Sequence, residues 1–185
     1  ELYYPFMYLG RNMEPDSGGY GKFRGGLGHT TVWMVKNSPG MHYAAACAGA
    51  HSMITANHGM FGAYPTPGDR VAYAAGTNVK ELIEQRKPLV HGRGDDPEHP
   101  TLGQNVVAAV MNNDVPVPAI IPDTLHEYDL VINPTSGSQA MGDPIERDPT
   151  LVKEDLDKGL TRPWVAGNVH GVIASRDARG VWTID

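Results

Sequence analysis

The stretch from Asp16 to His29, "DSGGYGKFRGGLGH", places six glycines beside Lys22 and Arg24 within fourteen positions. Successive glycine amides can converge into a concave nest for an anion, and two nearby cations would reinforce it. Neither standard phosphate pattern is met. A P-loop requires Ser or Thr after Gly-Lys, where this chain has Phe23, and a dinucleotide fingerprint requires glycine where Arg24 stands. The other reading is packing, with glycines supplying positive φ and close backbone approach while Asp16 and Arg24 pair to lock the loop. Packing is the preferred reading, and contact between Arg24 and an anion stays open.

Other residues capable of chemistry are scattered. Eight histidines invite a metal hypothesis, but no H-E-x-x-H occurs, and His51 and His58 are seven apart across an expected loop. His91, Asp95, Asp96, Glu98 and His99 would suit a hard or borderline cation, yet their spacing matches no zinc or calcium loop. A solvated polar loop is the reading taken, and no metal site is assigned. Arg93-Gly94-Asp95 spells an adhesion tripeptide that has little meaning in an acidic chain. Cys47 is the one cysteine and lies among alanines, which suits a small core residue and excludes a disulfide framework. Ser136 and Ser138 have neither a G-x-S-x-G elbow nor a nearby base. Asp143, Glu146, Arg147 and Asp148 would form a local ion network or face a neighbouring active site, and the structural role is preferred. No complete catalytic set emerges.

The elements that must position these residues are short. The chain has 22 glycines and 15 prolines in 185 residues, about twice average usage, spread along its length with aromatics between them. That pattern implies ordered coil held by neighbours. A net charge of -6 argues against nucleic acid as the main partner, and no apolar run approaches the roughly 20 residues of a membrane span. The start at Glu1, with no methionine or signal-type segment, reads as a fragment or processed piece of a cytoplasmic protein.

Strands are expected at Leu2–Gly10, with Pro5 limiting its pairing, and at Thr30–Val35, Met41–Ala50 and Tyr128–Asn133. A turn is expected at Asn37–Gly40. One helix is predicted at Val79–Arg86, capped by Asn78 answered by Glu81, with Val79, Leu82 and Ile83 on one face and Pro88 as the stop. A second is predicted over Thr101–Asn113, and Asp114–Pro122 must be extended. A third runs from Asp148 to Lys158, with Pro149 at its first position, a stripe of Leu151, Val152 and Leu156, and Gly159 closing it. A short helix over 162–171 and a hairpin turning near Asp177–Gly180 complete the chain. The fold class is therefore α+β: antiparallel strands and hairpins, a few short helices and much ordered coil, forming part of a larger subunit.

Three ordered blocks resemble the hydantoinase B/oxoprolinase family. The first is Pro15–Gly28, similar to the family's P-D-S-G-G-x-G-x-x-R-G-G-x-G signature, and it includes Asp16, Ser17, Gly18, Gly19, Gly21, Arg24, Gly25, Gly26 and Gly28. The second is Gly59–Arg70. The third is Met141–Ile173, whose Gly142, Asp143, Pro144, Glu146 and Arg147 match a G-D-P-x-E-R-D-P element. The family's usual glycine tetrad before G-D-P is replaced by "SGSQAM", Ser136 to Met141. The segment Tyr73–Asp123 looks like that of acetone carboxylase alpha subunits, with acetophenone carboxylase a more distant relative.

The resemblance implies that residues 1–185 are the C-terminal segment of a hydantoinase B-like subunit, with a helical insertion about 77–113 and closing helices and hairpin at 148–185. It implies an ATP-dependent bacterial ligase that makes acetoacetate from acetone and bicarbonate by phosphorylating the enolate and bicarbonate. Partners would be the rest of its own alpha-type subunit, a hydantoinase A-like nucleotide-binding subunit and a small third subunit. ATP with magnesium, and manganese, would belong to the whole complex and not to this segment, which alone is expected to be inactive. Arg24, Lys22 and His58 are the segment's candidates for stabilising an oxyanion. Two alternatives stand beside this: a segment of an ATP-dependent hydantoinase or 5-oxoprolinase-type amidohydrolase, and a non-catalytic scaffold and subunit interface.

Overall fold

The computed structural model describes residues 4–42, 44–45, 58–67, 71–89, 106–115, 119–120 and 124–185. Cys47, His51 and the 91–99 histidine cluster lie outside them. The chain divides into two compact units built from alternating stretches. Glu1–Asn12, Thr30–Met53 and Asp69–Thr135 form one; Met13–His29, Ile54–Gly68 and Ser136–Asp185 form the other.

The first unit holds β1 (Phe6–Met13), β2 (His29–Val35), β3 (Ala44–Ala45), β4 (Val71–Thr77), α1 (Val79–Glu84), β5 (Ala108–Val115), β6 (Ala119–Ile120) and β7 (Leu130–Thr135). Five strands make one sheet in the order β1-β2-β7-β4-β5, with β4 antiparallel to both β5 and β7, and β3 pairs antiparallel with β6. Strand side chains alternate between faces. Val32, Met34, Ala72, Ala74, Leu130 and Ile132 therefore bury on one side, where Val79 and Leu82 of α1 and Val106 join them. Val35, Val71, Tyr73 and Val131 bury on the other with Leu125. Pro5 falls just ahead of β1, an edge strand, where its missing donor is tolerated.

Several expectations are corrected here. The described part of the helix predicted over 101–113 is a strand: Thr77 pairs with Ala108, and Ala74 with Met111. Val106, Val107 and Val110 are β-branched and favour the pleated surface over a helix. Among its described residues, the segment 77–113 expected as a helical insertion holds the short helix α1 and most of β5, a strand of the five-stranded sheet. β4 gives little sign of itself in the sequence, because "VAYAAGT" is rich in Ala and Gly, which carry weak strand signals. α1 forms, but Asn78 does not cap it; its Oδ1 accepts from Val107 N (2.9 Å). Ile83 is 39% exposed, and the helix ends at Glu84, ahead of Pro88, with Arg86 beyond it at φ +54°.

The second unit holds α2 (Pro149–Asp157), α3 (Pro163–Asn168), β8 (Ala174–Arg176) and β9 (Trp182–Ile184), with a 3₁₀ turn at Pro144–Glu146. α2 starts as expected, with Asp148 Oδ1 accepting from Thr150 N (2.9 Å) and Oγ1 (2.8 Å), and Gly159 follows its end at φ +66°. Val152, Leu156, Ala166 and Val172 form its core, with Trp182 and Ile184 of the hairpin against them. Leu151 is 40% exposed, and the buried position expected of it goes to Asp155. The hairpin turn is held by Asp177 Oδ1, which accepts from Arg179 N and Val181 N (2.9 Å each).

Leu130 is fully buried at the sheet centre, so Leu130→Ala is expected to cost about 2–5 kcal/mol, read as a shift in denaturation midpoint. Leu151→Ala should stay within about 0.5 kcal/mol in the same assay.

Candidate functional site

The glycine-rich stretch closes on itself first. Glu14 N donates to Gly28 O (3.1 Å), and Ser17 Oγ donates to Glu14 O (2.6 Å) while accepting from Gly28 N (2.8 Å). Inside this neck the amides of Gly19, Lys22, Phe23, Gly25 and Gly26 donate to Ser138 O, Gly142 O, Met141 O, Gly19 O and Ser138 Oγ. Amides so engaged cannot ring an anion. The glycines of the stretch all lie outside the positive-φ region, and its left-handed residue is Asp16, at φ +61°. What the glycines supply is nearness: a Cβ on Gly25 would collide with the Ser138 carbonyl, and one on Gly21 would meet Met141 O and Gly142 O at 2.9 Å.

Asp16 and Arg24 do not pair with each other. Arg24 forms a two-pronged bond with Asp155 of α2, Nε to Oδ2 (2.8 Å) and Nη2 to Oδ1 (3.0 Å), while its Nη1 donates to Gly25 O (3.0 Å). Arg147 Nη2 donates to the same Oδ2 (2.7 Å), and its Nη1 to Lys22 O (3.3 Å). Asp16 instead accepts from Thr161 Oγ1 (2.6 Å), Arg162 N (3.2 Å) and Arg162 Nη1 (3.4 Å). Two separate carboxylates thus fasten the loop to the C-terminal helices.

The acidic and basic run from Asp143 does not form one ion network. Asp143 caps the 3₁₀ turn by accepting from Ile145 N (3.0 Å), and Asp148 caps α2. Glu146 meets Lys22 Nζ (3.1 Å) at the surface, and Arg147 turns inward to Asp155. His58 is exposed.

Two rings flank this framework, His170 buried and Tyr20 partly so. Tyr20 donates its hydroxyl to Asp16 O (3.0 Å) and meets the His170 ring edge-on at 6.4 Å. Burial, with the Asp16 charge adding and Arg162 opposing, pushes the Tyr20 phenol up to about 12. His170 Nδ1 lies 3.0 Å from Pro144 O, an acceptor, so the neutral ring carries its proton on Nδ1. Burial holds the His170 pKa below the ordinary histidine value; the Pro144 bond opposes this, Arg147 adds to it, and Asp155 opposes it.

A groove of about 650 Å³ is lined by Gly26, Leu27, Met60, Ser136, Gly137, Ser138 and Gln139. It offers hydroxyls, an amide and backbone groups, with no ionisable side chain in its lining. In the first unit a cleft of about 440 Å³ lies between the β4–α1 turn and residues 126–129, with Lys80, Glu81, His126 and Glu127 in its wall. Its buried Asp129 accepts from Gly76 N (2.8 Å) and His126 N (2.7 Å) and so shapes the turn. Among the described residues no group of three His, Cys, Asp or Glu side chains is placed to hold a metal ion. No described helix is long and apolar enough to cross a membrane.

Sequence reasoning missed Asp155, Thr161, Arg162 and His170 as partners of the signature. A usable signal existed for Asp155: it sits three and four positions from Val152 and Leu151, beside Leu156, on a helix face that must bury. A carboxylate there demands a cationic partner.

An α+β segment built around this two-carboxylate framework matches the sequence profile of the hydantoinase B/oxoprolinase family over residues 1–144, and the chain belongs to that family. It is 33% identical to the acetone carboxylase alpha subunit of Xanthobacter autotrophicus over its full length, covering 23% of that protein. It is 26% identical to the acetophenone carboxylase delta subunit of Aromatoleum aromaticum over 172 residues, 91% of this chain and 24% of that one. The chain therefore spans about a quarter of the length of these relatives. A nucleotide-free acetone carboxylase structure superimposes with a TM-score of 0.80 at 32% identity, over 98% of this chain and 23% of that one. An ATP-dependent caprolactamase from Pseudomonas jessenii shares the fold, with a TM-score of 0.55 at 21% identity over 97% of this chain and 25% of that one.

Asp155→Asn would leave Arg147 buried beside a neutral amide and is expected to destabilise by about 3–5 kcal/mol in thermal or chemical unfolding. His170 gives a pH signature. Below about 6.5 the unfolded chain takes up a proton that the folded chain refuses, so stability falls as pH drops from there to the lower folded pKa. His170→Asn, which keeps a donor toward Pro144 O, should reduce the slope of stability against pH in that window.

Proposed function

We propose that this chain is a segment of the alpha-type subunit of a bacterial, cytoplasmic, ATP-dependent ketone carboxylase, acting on acetone to give acetoacetate from bicarbonate. The observation that carries this reading is the end-to-end likeness to the acetone carboxylase alpha subunit at 33% identity. The complex would carry ATP with magnesium, and manganese, on parts outside this chain, with a hydantoinase A-like subunit binding the nucleotide and a small third subunit completing the assembly. The reaction would join the ketone enolate to an activated bicarbonate, with a new carbon–carbon bond as the product.

Within that complex the segment acts as scaffold. Supporting this, Arg24 directs all three guanidinium nitrogens to internal acceptors, and Lys22 pairs with Glu146. Lys22, beside Glu146, and His58 are the exposed members of the three candidates, open to a substrate supplied from elsewhere in the complex.

The full-length subunit, assembled with its partners, should hydrolyse ATP in response to acetone and accumulate acetoacetate when manganese is present. Ketone-independent opening of 5-oxoproline or a hydantoin would instead favour the amidohydrolase reading. Arg24→Lys, which loses the two-pronged bond, should weaken assembly and turnover together. Normal assembly with lost turnover would give Arg24 a direct catalytic part.

A further inference from the structure

The turn Met60–Ala63 is closed by Ala63 N donating to Met60 O (3.2 Å), and its central residues Phe61 and Gly62 have φ of +53° and +91°. Positive φ at both central positions is the signature of a type I′ turn, which favours Asn-Gly. An aromatic residue at its first central position is strained, and here that residue is also 82% exposed. Both costs fall on one side chain.

Phe61 does not stand alone. Phe23 and Met141 exchange two backbone hydrogen bonds of 2.9 Å, and Met60 bridges Met141 from its other side. Directly paired residues point to the same face, so Phe23, Met141 and Met60 lie in a row. All three are exposed, at 56%, 39% and 47%. The row carries no charge.

We infer that Phe61, with Phe23, Met60 and Met141, forms an apolar contact that the remainder of the same polypeptide covers in the full-length subunit. The inference rests on the reading of this chain as a segment of a longer subunit. This chain is 23% of the length of the acetone carboxylase alpha subunit it matches throughout, so about three quarters of such a subunit lies outside it. A covalently tethered partner meets the patch at high effective concentration, ahead of any separate chain. Permanent contacts are more hydrophobic than transient ones, and this surface is uncharged.

The test uses the full-length subunit purified without its partners. Phe61→Asn installs the preferred turn residue, so on a solvent-facing turn it would leave the melting temperature unchanged or raise it. Under the proposal it lowers the melting temperature by several degrees. Chymotrypsin supplies a second readout on the unaltered subunit, where the bond after Phe61 resists cleavage as long as the protein stays folded. Cleavage there in the native subunit overturns the proposal. So does a Phe61→Asn subunit of unaltered stability that no longer enters the complex on size exclusion, which would make the patch a subunit interface. Intact-mass measurement of the natural polypeptide separates the premise: a chain of 20.0 kDa would remove the longer subunit and the proposal with it.

Discussion

The second unit depends on the carboxylate of Asp155. It is 5% exposed and receives two guanidiniums, one from the glycine-rich stretch and one from the residue that follows the 3₁₀ turn. A buried carboxylate is costly to desolvate, and two charge-assisted partners with fixed geometry are what make its place on a core-facing helix tolerable. Because Arg24 lies 131 residues before Asp155, this one group also decides where the loop sits against α2. The glycines then follow from the geometry. A loop drawn in that tightly must run its backbone against residues 138–142, and side chains at Gly21 or Gly25 would prevent it.

That order of cause explains why a stretch resembling a phosphate loop is something else. Anion nests work by leaving several successive amides unpaired and pointing at one spot. Here the amides of Gly19, Gly25 and Gly26 are paired within the loop or with Ser138, and the basic side chains face acidic ones. Glycine content alone does not separate the two uses, since both need backbone to come close to something. The difference lies in whether the something is a ligand or another part of the chain.

Local signals were legible where one residue decides the conformation. Asp148, Pro149 and Gly159 bounded α2 in the sequence as they do in the structure, and the hairpin turn at Asp177–Gly180 was equally plain. Family resemblance reached further, to membership in hydantoinase B/oxoprolinase. What escaped was decided at a distance. β4 is alanine-rich and becomes a strand because β5 and β7 pair with it on both sides. The 108–113 part of β5 reads as helix in the sequence because alanine propensity outweighs valines whose burial depends on tertiary context. Asp16 and Arg24 have opposite charge and lie eight residues apart, which made their pairing plausible. Their true partners lie beyond residue 150, where spacing carries no information.

The alternation of stretches between the two units has a consequence for biosynthesis. A ribosome delivers Asp16 long before Thr161 and Arg162, which follow it by about 145 positions. At about 5–20 residues per second the interval is roughly 7 to 30 s, during which the Asp16 carboxylate lacks both of these partners. The partners of the loop's amides, Ser138 to Gly142, also emerge only late in that interval. Nascent chains of this architecture are thus natural clients for chaperones that shield an early segment until a late one arrives.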